Sequence, residues 1–200
     1  EIDASSSTVT LAGSTNPTVT GDLNVTAGTF DDNGNAIDVN GNADVASGQQ
    51  INGNGTVTFT GGGATHTLAG SGNYGQVDID ESSDFGSAVE AAISEGATFS
   101  NLTVTSGVLE VQSSTVTADN VNVESEVRLK AGLNIQSGGT VNGTLTINGG
   151  GFVSTTSPSY GGLATLVYDT GGSFGRSGEW AAGATTGAGH PTNVTIQNGT

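Results

Sequence analysis

Four apolar columns recur every 18 or 19 residues between Leu102 and Val153, and this recurrence constrains the fold more than any other feature of the chain. Val104 is followed by Val123 and Val141, and Val108 by Val127 and Leu145. Val111 is followed by Leu129 and Ile147, and Val116 by Ile135 and Val153. A single globular layer does not generate such columns. A solenoid does, because each turn sets its apolar residues above those of the turn before. Three strands of about four to five residues, joined by corners, use up one such turn. The expected fold is all-β: a single-chain parallel β-helix over residues 1–200, right-handed by the crossover rule, with about 18–20 residues per turn.

The register is looser before residue 100. Thr8–Leu11, Leu23–Thr26, Ala36–Val39 and Thr56–Phe59 alternate apolar and polar residues, as half-buried strands do. Asn-Gly pairs at Asn33, Asn40, Asn52, Asn54, Asn142, Asn148 and Asn198 punctuate the chain. They supply positive φ cheaply, and in a solenoid they are expected at corners between faces. Two segments break the pattern. Residues 81–97 are expected to hold a short helix or an irregular loop. Ser87 and Glu90 have capping-box spacing, Ala88 to Ile93 is helix-permissive, and Gly96 suits a helix end. Residues 154–192 read as a Gly-rich loop excursion that gathers Tyr160, Tyr168, Phe174 and Trp180.

Composition fits a thin aliphatic core. Aromatics make up 5% and charged residues 11%, while Gly numbers 34; a column of Val, Ile, Leu and Ala needs no large rings. The chain has no Cys, so no disulfide braces it. Its lack of Met and its start at Glu1 are expected of a mature or excised segment. The net charge of -16, with Arg128, Lys130 and Arg176 as the cations besides two histidines, argues against nucleic-acid binding through a basic surface. The same charge argues against docking to an anionic membrane, and no apolar run is long enough to insert.

Gly21 to Phe30, followed by Val39 to Asp44, resembles repeats of very large secreted adhesin-like surface proteins of Bacteroidota-type bacteria. So does Leu166 to Trp180 followed by Pro191 to Ile196. The resemblance implies β-solenoid repeats with a structural or adhesive role at the cell surface and no catalytic residues. The sorting domain that such proteins carry at the far end is not recognisable in this sequence.

The best candidates for a contact with a partner or ligand are Tyr168, Phe174, Arg176, Glu179 and Trp180, residue types that anchor protein and sugar contacts. The alternative is that this loop folds back and covers part of the solenoid. Polysaccharide cleavage would need clustered carboxylates with a basic residue on one face. Glu110, Asp119, Glu124 and Glu126 lie near Arg128 and Lys130, and Glu110 and Arg128 are 18 residues apart, a spacing that also suits a surface ion pair on adjacent turns. No enzyme activity is expected. Asp31, Asp32, Asn33, Asn35 and Asp38 form an acidic corner. Calcium is the one cofactor considered there, but Ala36 stands where a calcium loop wants Gly, so a solvated turn is expected and no metal site is assigned. His66 and His190 lack metal-ligand spacing. Thr-x-Thr recurs at irregular intervals, so no continuous threonine array is expected.

The leading expectation is an extracellular structural or adhesive module, either a head-to-tail filament subunit or one segment of a long surface fibre. Asn193 to Thr200 reads as an unfinished rung that Glu1 to Leu11 would continue. Self-association end to end is the expected partnership, with a surface polysaccharide or protein as a further partner. A carbohydrate-binding or polysaccharide-cleaving β-helix is the first alternative, and an ice-binding solenoid the second.

Overall fold

A computed structural model describes residues 1–61, 65–81 and 91–198. The described residues hold twenty strands and no helix. In chain order these are β1 (Ile2–Thr10), β2 (Thr18–Val19), β3 (Leu23–Asp31), β4 (Ile37–Val39), β5 (Ala43–Val45), β6 (Gln50–Asn52) and β7 (Thr56–Phe59). Next come β8 (His66–Ala69), β9 (Gln76–Asp80), β10 (Ala91–Ile93), β11 (Thr98–Ser106), β12 (Val108–Val111), β13 (Val116–Val123) and β14 (Glu126–Leu129). The last are β15 (Gly132–Val141), β16 (Thr144–Asn148), β17 (Phe152–Thr155), β18 (Ser159–Tyr160), β19 (Thr165–Asp169) and β20 (Asn193–Ile196).

Every strand pairs in parallel with strands of the neighbouring turns, because each coil brings the chain back running the same way. An eleven-stranded sheet runs β1-β3-β5-β8-β10-β12-β14-β16-β19-β20, with β6 also on β3. A nine-stranded sheet runs β17-β15-β13-β11-β9-β7-β4-β2, with β18 also on β15. The result is a parallel β-solenoid of about eight turns. Long strands such as β15 bend through a corner: its start pairs with β17 and its end with β18.

Inward side chains stack into apolar columns. Val104, Val123 and Val141 align in neighbouring strands, as do Val111, Leu129 and Ile147. Two expected columns are shifted. Leu109, not Val108, aligns with Val127 and Leu145. Leu133, not Ile135, lies between Val116 and Val153, while Ile135 aligns with Ala118 and Thr155. Val108 and Leu109 are both buried, so alternation alone does not say which points inward.

The helix expected within 81–97 is not present in the part that the structure describes, where Ala91–Ile93 form β10 between β8 and β12. All three residues are buried, and pairing on both edges favours the extended chain. Ser87 and Glu90 lie outside the described residues.

Corners use Asn-Gly in two ways. At Asn33 and Gly34 both residues have positive φ, 54° and 77°, as expected. At Gly143 the requirement is proximity: a Cβ there would lie 1.9 Å from the carbonyl oxygen of Ser125, one turn away. Stacking corner upon corner brings backbone against backbone, and only glycine leaves room.

Candidate functional site

The loop after β19 closes over the solenoid and leaves a cleft. Tyr168 points inward from β19, stacked on Ile147, and its ring centroid lies 5.7 Å from that of Phe174. Phe174 and Trp180 pack against the core while remaining partly exposed, and Arg176 is exposed. With Ile196 these four residues line a cleft of about 270 Å³.

Glu179 has a different place. Its side chain is fully buried. Oε1 accepts hydrogen bonds from the Tyr168 hydroxyl (3.0 Å) and the Ser177 N–H (2.6 Å), and Oε2 accepts one from the Val153 N–H (3.3 Å). The Tyr160 hydroxyl donates to the Glu179 carbonyl at 2.7 Å. Ser177 Oγ and Gly178 N both donate to the Val153 carbonyl oxygen. Glu179 therefore acts as a clamp holding the loop onto β17, away from the cleft surface. Burial, reinforced by the Glu179 charge, pushes the phenols of Tyr160 and Tyr168 above their ordinary range. Four of the five expected contact residues share the cleft, and the fifth secures the loop.

A second concavity lies on the outer face of the eleven-stranded sheet. Glu110 and Arg128 are direct neighbours across β12 and β14, as their spacing suggests. They do not pair with each other. Arg128 donates through Nε and Nη2 to both oxygens of Glu126, at 2.7 and 3.2 Å. Lys130 Nζ lies 3.0 Å from both oxygens of Glu110, which also accepts from Gln112 Nε2 at 3.2 Å. The bond to Glu126 raises the Arg128 pKa further, so the guanidinium stays charged. Glu110, Glu126, Arg128 and Lys130, together with Thr146, Asn148 and Asp169, border a groove of about 390 Å³. Asp119 and Glu124 are not part of it. Asp119 is exposed at the bend of β13, and Glu124 accepts a hydrogen bond from Asn142 at 2.8 Å.

Two carboxylates of the acidic corner receive backbone N–H groups. Asp32 Oδ1 accepts from the N–H groups of Gly34 (2.7 Å) and Gly55 (3.0 Å), and Asp31 Oδ1 from that of Asn33 (2.9 Å). Among the described residues no group of three or more His, Cys, Asp or Glu is arranged to hold a metal ion.

Two placements were not legible beforehand. His66 occupies an inward position of β8 and is buried with Glu81. Its Nδ1 lies 2.6 Å from the Gly41 carbonyl oxygen and its Nε2 2.5 Å from Glu81 Oε1. The available signal was its place two residues before Leu68 in an alternating strand. The irregularly spaced threonines also fall into line. Thr18, Thr58, Thr103 and Thr140 share one outward column of the nine-stranded sheet, interleaved with Asp38, Asp78, Asn122 and Ser159. The column is continuous but mixed, not a threonine array.

The fold defines the chain as a parallel β-solenoid. Comparison with protein-family models, curated proteins and solved structures finds no match, so the resemblance to adhesin-like repeats rests on the sequence segments alone.

Proposed function

We propose that this chain is a non-enzymatic, extracellular structural or adhesive module, a rod that extends along its own axis by stacking rung on rung. The observation that carries the reading is the continuity of the stack: Leu109, Val127, Leu145, Leu166 and Val194 follow one another from rung to rung in one parallel sheet. β1 and β20 are the terminal strands of the same parallel sheet, and among the described residues each has a strand partner on one edge only. Their inward columns are uncovered: Val9 is 41% exposed, Val194 37% and Ile196 63%. Leu145 and Leu166, further inside the same stack, are fully buried. A parallel stack of this kind adds rungs along its axis, from the same chain or from another copy, and a head-to-tail contact between copies propagates rather than closes. The resemblance to secreted surface repeats supports the extracellular setting.

The test is self-association of the chain followed by light scattering and electron microscopy over a concentration series. Linear growth is expected, and Ile196→Lys should suppress it by placing a charge on the stacking surface. A monodisperse monomer at high concentration, or growth unaffected by Ile196→Lys, refutes end-to-end stacking.

A further inference from the structure

We infer that the groove on the outer face of the eleven-stranded sheet, between β12 and β20, binds a neutral glycan. This inference does not depend on end-to-end stacking.

Charge decides the ligand class first. The chain carries -16 overall, yet two of its three Lys and Arg residues stand in this groove. Each is already paired with a carboxylate, Arg128 with Glu126 and Lys130 with Glu110. The four charges cancel locally, leaving Asp169. An anionic polymer meets a repulsive protein with no free cationic pair to receive it, and a cation meets carboxylates that are already neutralised. A polar, uncharged ligand has neither difficulty.

Hydrogen-bonding capacity decides the chemistry. Arg128 commits Nε and Nη2 to Glu126, which leaves Nη1, and the ammonium of Lys130 has donors to spare around its contact with Glu110. Asn148 Oδ1 is buried with no hydrogen-bond partner, while its Nδ2 donates to the Asp169 carbonyl. Asn148 borders the groove, and its side-chain NH2 has a second hydrogen to offer a ligand oxygen. Planar carboxylate, guanidinium and amide groups beside one another match the vicinal hydroxyls of a sugar. Val167 in the same groove offers an apolar patch for a sugar C–H face.

Shape fits as well. The volume of about 390 Å³ falls in the range of small-molecule sites, roughly 300–1,000 Å³. The groove crosses strands β12, β14, β16 and β19, so a polymer lying along the solenoid axis meets a new strand every ~4.8 Å. That interval is comparable to the rise of one sugar unit in an extended glycan.

The experiment is titration of the isotopically labelled chain with cellohexaose, mannohexaose and maltohexaose, with hexagalacturonate as the acidic comparator, followed by NMR. Saturable shifts of the Asn148 side-chain amide and the Arg128 Nε–H are expected with at least one neutral hexamer. Arg128→Gln should weaken that binding about tenfold, since a hydrogen bond to a charged group is involved. Asn148→Ala should also weaken it, with circular dichroism and thermal midpoint confirming the fold of both variants. Trp180→Ala, in the separate aromatic cleft, should leave the affinity unchanged. The inference is overturned if none of the three neutral hexamers shifts these signals. It is equally overturned if only hexagalacturonate does, or if both folded groove variants bind like the parent.

Discussion

Glu179→Gln should loosen the loop between β19 and β20 without disturbing the solenoid beneath it. The carboxylate receives three hydrogen bonds, two on Oε1 and one on Oε2. Glutamine keeps one acceptor oxygen. In its better orientation that oxygen serves Tyr168 and Ser177, and the new NH2 faces the Val153 N–H, so one buried donor is orphaned. An orphaned donor costs about 1–3 kcal/mol, and the two retained bonds lose their charge assistance. The combined effect is about 2–3 kcal/mol, or roughly a 30- to 150-fold rise in the population of the open loop at tenfold per 1.4 kcal/mol.

Trypsin reads this population directly. The chain has three Lys and Arg residues; Arg128 lies within β14 and Lys130 directly follows it, so Arg176 is the loop site. Cleavage between Arg176 and Ser177 requires release of Ser177 N–H from Glu179 and of Gly178 N–H from Val153. When reclosing is fast, the cutting rate follows the open fraction. Tyr168→Phe removes a single donor and should accelerate cleavage about tenfold, for a cost of about 1.5 kcal/mol. If Glu179→Gln is cut at the parent rate while Trp180→Ala is cut much faster, apolar packing holds the loop and the clamp argument fails.

All three tyrosines, Tyr74, Tyr160 and Tyr168, have phenols raised by burial above the ordinary value of about 10. Raised folded values mean that their contribution to stability is complete below pH ~10 and is lost as pH rises toward the folded values. Tyrosinate absorbance should therefore appear together with loss of the β-sheet circular dichroism, and ionisation near pH ~10 with the fold intact would refute this. Gly143→Ala places a Cβ 1.9 Å from the Ser125 carbonyl oxygen, whereas Gly162→Ala meets nothing within 4 Å. Urea unfolding should show a loss of about 1–3 kcal/mol or more for the first and under about 0.5 kcal/mol for the second; equal effects would contradict corner stacking as the reason for glycine.

Periodicity made the solenoid legible because a core shared between turns requires apolar residues at matching heights. It placed the columns through Val104 and Val111 correctly, where polar neighbours flank each apolar residue. It slipped at Val108 because β12 buries all four of its residues, outward Glu110 included, so the pattern loses its phase. It slipped at Ile135 because the step from Val116 to Leu133 is 17 residues, shorter than the average turn. The residue types of the aromatic loop were readable, but not the division of labour between four residues around a cleft and a buried Glu179.

The amino-acid sequence by itself determined that this chain coils, roughly how many residues each turn uses, and where the regularity stops. These properties depend on local alternation and on a repeat distance, both written along the chain. The tertiary structure alone decided which charges meet. Lys130 reaches Glu110 rather than a nearer acid, and His66 finds Glu81, because coiling converts separations of 20 and 15 residues into contact distances. Turn lengths vary with each corner and loop. A single residue of difference changes which side chain faces which, and only the folded register resolves it.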